Sequence, residues 1–311
     1  MTISRPAEQL RVVYIAGAQN CGSTLLDALL GQAPGARSLG EMGGFHRYRP
    51  GVPCSCQRPS GDCGPCRAVL RAVTATPGLA TFQRLSRSPR KERRLHWMVV
   101  GTKARANYAR AADTAFDAVA AATGADVLID SSKNAARAAA LVHDSRHDVR
   151  IVHLIRDGRG HLGSRRRRAH ADGRRYLAPL SMVAWLAKNL LIGRLLARRV
   201  PPGRYLVCRY EELMLDAAGT LARIDRFAAL DTTGVAAAAG AEGVERRHLF
   251  EPARRTDYRT VALDPTRLES QRWSTSANLA YWLLGGFVSA RWGYDRRQGY
   301  LAAAKPTVVH S

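Results

Sequence analysis

The chain has 311 residues, 46% of them hydrophobic, enough for one large α/β domain or two small ones with ample core. Its 48 Lys+Arg against 25 Asp+Glu give a formal charge of +23, mostly from arginine. Such a field suits anions, whether nucleotides, nucleic acid, acidic glycans or an anionic membrane surface, but arginine spread over solvated faces gives the same total and names no partner.

The N-terminal MTISRPAEQLR has no secretory pattern, because the first apolar run reads as a strand. Neither 177–196, interrupted by Lys188 and Asn189, nor the shorter 279–290 makes an uninterrupted transmembrane span. A cytoplasmic location is therefore expected, with peripheral membrane contact left open.

Val12, Val13, Tyr14 and Ile15 have the composition of a buried parallel strand. Gly17 and Gly22 bracket a tight turn, and Leu25, Leu26, Leu29 and Leu30 follow at helical spacing. The stretch nearly spells the phosphate loop G-x-x-x-x-G-K-[ST]. Gly17, Gly22 and Thr24 fit, but Ser23 stands where the lysine belongs. Backbone N–H groups and a helix N-terminus can still meet a phosphate. Without the lysine, the loop suits a 5′-phosphate better than a triphosphate. The plainer reading is a glycine turn that only closes a strand–helix corner.

Ser38 and Leu39 form a possible short strand, and Glu41 follows it at what would be the ligand edge of a parallel sheet. Cys54, Cys56, Cys63 and Cys66 then give C-x-C and C-x-x-C in a loop rich in Pro and Gly. Four such thiols can close on one tetrahedral zinc; disulfides or free thiols are the alternatives. Cys21 and Cys208 read as small buried hydrophobes. Residues 84–110 are basic and weakly helical, a solvated face, a mobile lid or a contact for an acidic acceptor, and 111–123 is an alanine-rich helix.

A second strand over 125–130 ends in Asp130-Ser131-Ser132-Lys133, again at the ligand edge. The third clear strand, 150–155, runs into Arg156-Asp157-Gly158-Arg159, with Ser164 eight residues after Arg156 and four arginines at 165–168. An arginine after a strand, glycines for a tight turn and a following serine suit capture of a second phosphate. No recognised nucleic-acid motif accompanies the arginines, so nucleic acid is not the expected partner. A helix over 179–196, a strand over 205–208 followed by Tyr210-Glu211-Glu212, a helix over 221–230, a polar loop over 245–260 and helices over 268–273 and 279–292 complete the chain. Strands alternating with helices predict α/β architecture: a single P-loop-type three-layer domain over 1–311, its central parallel sheet flanked by helices, with a cysteine-containing insertion or lid at about 45–101.

Two phosphate grips, one at a lysine-less loop and one with Arg and Ser after a strand, suggest a nucleotide phosphorylated at two separate places. Gly22-Ser23-Thr24-Leu25-Leu26 resembles the 5′-phosphosulfate loop of sulfotransferases that use 3′-phosphoadenosine-5′-phosphosulfate (PAPS). Arg156-Asp157-Gly158-Arg159 with Ser164 resembles their 3′-phosphate motif, closest to the tyrosylprotein-like and related bacterial forms. Ser38-Leu39-Gly40-Glu41 resembles the segment carrying their catalytic base, and Asp130–Lys133 and Arg209–Leu213 fall at the expected places.

The resemblance, covering roughly 10–295, implies that Gly22, Ser23, Thr24 and Leu25 hold the 5′-phosphosulfate of PAPS. Arg156 and Ser164 would hold the 3′-phosphate, with help from Arg168 and Tyr210. Glu41 would be the base, with His46 and Asp130 as rivals. Asn20 stands where relatives carry Arg or Lys, and Lys133 is the residue that would restore the charge. His248-Leu249-Phe250-Glu251-Pro252 also lacks the Gly-Asn common after that histidine in relatives. The expected activity is sulfuryl transfer from PAPS to a hydroxyl of a small metabolite, glycan or lipid. The alternatives are an ATP-dependent small-molecule kinase and an inactive nucleotide- or nucleic-acid-binding protein.

Overall fold

Strand β1 (Arg11–Gly17) is the centre of a five-stranded sheet because both of its faces are apolar: Val12 through Ala16 are fully buried. In the computed structural model, the described residues are 9–47, 49–75, 78, 81, 82, 85, 91–246, 260–269 and 275–294. The sheet order is β2 (Ala36–Gly40), β3 (Val127–Lys133), β1, β4 (Asp148–Ile155) and β5 (Tyr205–Arg209), and every neighbouring pair is parallel.

Alternation along β1 sends Val12, Tyr14 and Ala16 into one core and Val13 and Ile15 into the other. The second core is filled by α1 (Ser23–Leu30), α7 (Tyr210–Leu215), α8 (Ala217–Ala228) and α9 (Val235–Ala241). The first is filled by α2 (Gly64–Ala75), α3 (Lys103–Thr123) and α4 (Ala135–Asp144). Helices on both faces of a parallel sheet give the three-layer α/β fold.

Within the described part of the 45–101 segment, Phe45, Cys54, Cys63, Cys66, Trp97 and Met98 are buried in the first core. The basic stretch expected as a lid or solvated face likewise runs into the core helix. Thr102 caps α3 by accepting the Arg105 N–H at 3.0 Å, and Tyr108 and Ala109 are already buried. Arg105 is fixed by a bidentate bond to Asp144, 2.6 and 3.0 Å.

The glycines after β4 do not make the expected tight turn. They open α5 (Gly158–Ala171), where a Cβ on Gly158 would lie 2.6 Å from Met182 Cε and 3.0 Å from Tyr281. Helix α6 (Ala178–Leu190) continues through a wider π segment (Leu191–Leu196) and a tighter 3-10 turn (Ala197–Arg199), and this 22-residue unit is long and apolar enough to cross a membrane by length and composition. Lys188 and Asn189 do not break it: Asn189 is buried and its Oδ1 binds His153 Nε2 at 3.1 Å. The 245–260 loop is described only at its ends, where β6 (Val244–Glu245) and β7 (Thr260–Val261) pair. The variant motif at 248–252 lies outside the described residues, as does most of the helix expected over 268–273; its start is α10 (Thr266–Glu269).

Candidate functional site

In sheet order, the carboxyl ends of the five strands deliver Glu41, Lys133, the 18–23 loop, Arg156 and Tyr210. The strand order reverses on either side of β1, which opens a crevice above its end. All five groups expected at a ligand edge therefore converge there from sequence positions far apart.

The loop needs its two glycines for different reasons. A Cβ on Gly17 would lie 2.5 Å from Leu154 O, so the neighbouring strand forbids a side chain. Gly22 has φ +97, and a Cβ there would meet Tyr210 Cδ2 at 2.2 Å. Asn20 also takes a left-handed φ of 60, a conformation Asn tolerates better than most residues. Its Nδ2 is buried without a hydrogen-bond partner. Gln19 is held by α5: its carbonyl accepts from His161 Nδ1 at 2.8 Å and its Oε1 from Arg165 Nη1 at 3.0 Å. Burial pushes His161 down to about 4, so at neutral pH it is an uncharged donor bracing the loop.

Lys133 ends β3 with φ 64, which turns its side chain back across the loop. Its Nζ donates to Ser23 Oγ at 3.2 Å, to Ser131 O at 3.0 Å and to Glu41 Oε1. One ammonium thus touches both the phosphate loop and the carboxylate at the end of β2. The turn after Glu41 is pinned by Gly43 N–H donating to Ser132 Oγ at 2.9 Å. Asp130 is fully buried and committed to Arg137, whose Nη2 lies 2.6 Å away and whose Nη1 donates to Tyr108 OH at 2.6 Å. A carboxylate so engaged is a structural anchor for the strand end. The side chain of His46 lies outside the described residues.

On the other side of the loop, Arg156 is nearly buried, and its Nη1 donates to Asn20 O at 3.3 Å. Its guanidinium stacks 4.4 Å above the Tyr210 ring, which itself covers Gly22. Its Nε is buried and unpartnered, while its carbonyl accepts from Trp185 Nε1 at 3.1 Å. Asp157 caps α5, accepting the Arg159 N–H at 2.8 Å, and its own N–H donates to Glu211 Oε1 at 3.0 Å. Burial, reinforced by the Asp157 charge, pushes Glu211 up to about 7. Ser164 is half-buried on α5, one turn beyond His161. Arg168 is exposed and lies 3.8 Å from Asp172. Arg165, which the sequence did not single out, is the arginine of that run seen to touch the loop.

The cysteines form a separate cluster. Cys54, Cys63 and Cys66 are buried with their sulfurs within 4.8 Å of one another, and Cys56 sits beside them at the surface. All six cysteines are free of disulfides.

The loop offers backbone and side-chain donors, among them the buried, unpartnered Asn20 Nδ2, flanked by a cation and a carboxylate on one side and on the other by Arg156, whose Nε is also buried and unpartnered. That set can bind a phosphorylated nucleotide and take a proton from an incoming nucleophile. No curated protein matches the sequence. Among solved structures, the sulfotransferase domain of the Synechococcus PCC 7002 olefin synthase is similar at 18% identity, with 91% of this chain and 97% of that one covered and a TM-score of 0.51. A sulfotransferase from Alicyclobacillus acidocaldarius aligns over 98% of both chains at 15% identity and a TM-score of 0.46. The model of the sulfotransferase family matches residues 13–234, from the first strand to beyond the fifth, taking in every strand-end group described above. By a match of that extent the chain belongs to the sulfotransferase family and is a transferase.

Proposed function

We propose that this sulfotransferase uses PAPS as donor and a hydroxyl of a small metabolite, glycan or lipid as acceptor. The observation that carries the reading is Lys133, whose single ammonium bridges Ser23 of the loop and Glu41. On this reading the loop N–H groups, Ser23, Thr24 and the N-terminus of α1 hold the 5′-phosphosulfate. The orphaned donors fit an anion: Asn20 Nδ2, in the loop, and Nε of Arg156, whose Nη1 reaches the loop at Asn20 O, are buried without partners. Arg156 and Ser164 take the 3′-phosphate. Tyr210 supports that grip through Arg156 and Gly22, and Arg168 extends the basic face of α5.

The acceptor oxygen attacks sulfur in line as the bond from sulfur to the 5′-phosphate oxygen breaks. Glu41 takes the hydroxyl proton, and 3′,5′-ADP leaves with the new charge on its 5′-phosphate. Lys133 sits where that charge develops and supplies what Asn20 lacks. Fixed donors of this kind stabilise the transition state more than the ground state.

Among acceptor classes, the surface gives most support to lipid. Leu180 and Val183 of α6 and Leu279, Trp282 and Phe287 of the helix packed beside it are exposed, with exposed Arg174 and Arg175 preceding α6. Apolar and basic groups together suit an anionic bilayer surface. The cytoplasmic location expected from the sequence is retained as part of this reading. The four clustered cysteines are read as holding a structural metal, apart from the transfer chemistry.

The test is ligand-dependent melting. 3′,5′-ADP should raise the melting temperature and ATP should not. Stabilisation by ATP with magnesium, and none by 3′,5′-ADP, would move the protein to the kinases. A salt-sensitive shift with any oligonucleotide and no response to 3′,5′-ADP would favour a nucleic-acid-binding protein.

A further inference from the structure

The segment 53–66 is built as two half-sites facing each other. In the first, the chain reverses tightly: Cys54 N–H donates to Arg58 O at 2.8 Å, Gln57 N–H donates to Cys54 O at 2.9 Å, and Pro53 pairs with Pro59. Gln57 takes φ 67 to close this knuckle. The Arg58 backbone N–H is directed at the Cys56 sulfur. The second half-site is the start of α2, with Cys63 immediately before the helix and Cys66 in its first turn.

The spacing of the sulfurs fits a metal. A tetrahedral ion with metal–sulfur bonds of about 2.3 Å puts its sulfurs about 3.8 Å apart. Cys54 Sγ lies 3.4 Å from Cys66 Sγ and 3.8 Å from Cys63 Sγ. Neither distance is near the ~2.05 Å of a disulfide. Cys56 borders the same group, in contact with Cys54 and Cys63. Four thiolates with no open position are the donor set of a structural zinc site.

We infer that Cys54, Cys56, Cys63 and Cys66 bind one zinc ion in a closed site that fastens segment 53–66 beneath the turn carrying Glu41. The coupling is visible on both sides of the knuckle. Cys54, Cys63 and Cys66 share a core with Met42 and Phe45, one and four residues beyond Glu41. Ser55 Oγ donates to Arg246 O at 3.1 Å, tying the knuckle to the end of β6. The inference does not depend on the donor or acceptor of the transfer reaction.

The full-length protein, purified without chelator, should contain about one zinc per chain by elemental analysis. Removing the zinc should lower the melting temperature, and zinc alone should restore it. Cobalt exchanged for zinc should give the strong visible bands and sulfur-to-metal charge transfer of a tetrahedral thiolate site. Cys54→Ser and Cys66→Ser should lose the metal. Should they fail to fold, Cys56→Ser, which changes only the rim, should fold, bind zinc at least about tenfold more weakly and show reduced charge transfer with cobalt. Metal-free wild-type protein with four titratable thiols and a melting temperature indifferent to zinc and chelator would overturn the site. So would stoichiometric iron, a disulfide within the cluster, or unchanged zinc affinity and cobalt spectrum in Cys56→Ser.

Discussion

Replacing Lys133 with methionine isolates the cation that bridges the loop and Glu41. Methionine keeps most of the stem and inherits the same backbone conformation at φ 64, so strain is largely unchanged. A phosphate oxygen bound by Ser23 would lie about 4–5 Å from Nζ, given the 3.2 Å between Nζ and Ser23 Oγ. At an effective dielectric near 20, a full charge at about 4 Å is worth about 4 kcal/mol. If roughly half a charge develops on the leaving oxygen, the loss in the transition state is about 2 kcal/mol, or roughly 30-fold in rate. Deletion of a single preorganised donor elsewhere in enzymes costs ~10²–10³-fold, so a fall of 30- to 300-fold in kcat is expected. PAPS hydrolysis by water, followed as release of 3′,5′-ADP, reads the leaving-group half of the reaction without the acceptor. Affinity for 3′,5′-ADP, measured by calorimetry, should weaken by less than the rate. Adding Asn20→Lys to Lys133→Met should recover part of the rate, because it returns the charge to the loop from the position relatives use. Unchanged hydrolysis in Lys133→Met, with no gain from Asn20→Lys, would refute the assignment of Lys133.

Glu41→Gln should not weaken 3′,5′-ADP binding, while kcat with a hydroxyl acceptor falls by roughly 10²-fold or more; survival of kcat there and its collapse in His46→Ala would pass the base to His46. Arg156→Ala should weaken 3′,5′-ADP by at least about 1.5–3 kcal/mol and 5′-AMP by less, and equal losses would show that Arg156 does not read the 3′-phosphate. Gly22→Ala should cost about 1–3 kcal/mol of stability and most nucleotide affinity, since its Cβ would lie 2.2 Å from Tyr210 Cδ2; urea unfolding and calorimetry on one sample report both. Glu211 has a folded pKa raised to about 7, so its contribution is favourable while protonated and is lost as pH climbs from its unfolded value near 4.5 through 7. Glu211→Gln should therefore gain stability relative to wild type across that window, by up to about 3 kcal/mol in urea unfolding, and a pH-independent difference would contradict it.

The sheet was legible because β1, β3 and β4 are short apolar runs buried on both faces, and each ends in the polar residues that form the site. The glycine loop after β1 was legible as a turn because Gly22 takes a left-handed φ of +97, a local backbone limit. What could not be read was contact between distant segments. Nothing near Gly22 announces that the obstacle is Tyr210, 188 residues later, and nothing in His161 or Arg165 announces that they hold Gln19. The glycines after β4 misled for a related reason. The small size of Gly158 serves helix packing against Met182 and Tyr281, and a tight turn uses the same residue type. The basic run into α3 is in part the solvated face its composition suggests, since His96, Lys103 and Arg110 are exposed, but composition does not show that Arg105 pairs with Asp144.

The placement of Lys133 also bears on why a loop with Asn20 can serve a transferase. A lysine within the loop is tied to the phosphates alone. A lysine arriving from the next strand over can be shared, and here the sharing partner is Glu41. Before the donor binds, the ammonium neutralises a carboxylate that would otherwise oppose an incoming phosphosulfate. Once a phosphate occupies the loop, its oxygens compete for the same ammonium, 3.2 Å from Ser23 Oγ. Any shift of Lys133 toward phosphate leaves Glu41 freer to accept a proton, so donor binding and base readiness are linked through one side chain. Because the two residues touch, their effects should not add: Glu41→Gln in the Lys133→Met background should cost less than it does in wild type. A double-mutant cycle on transfer to a hydroxyl acceptor measures this directly, and strict additivity would show that Lys133 serves the loop alone.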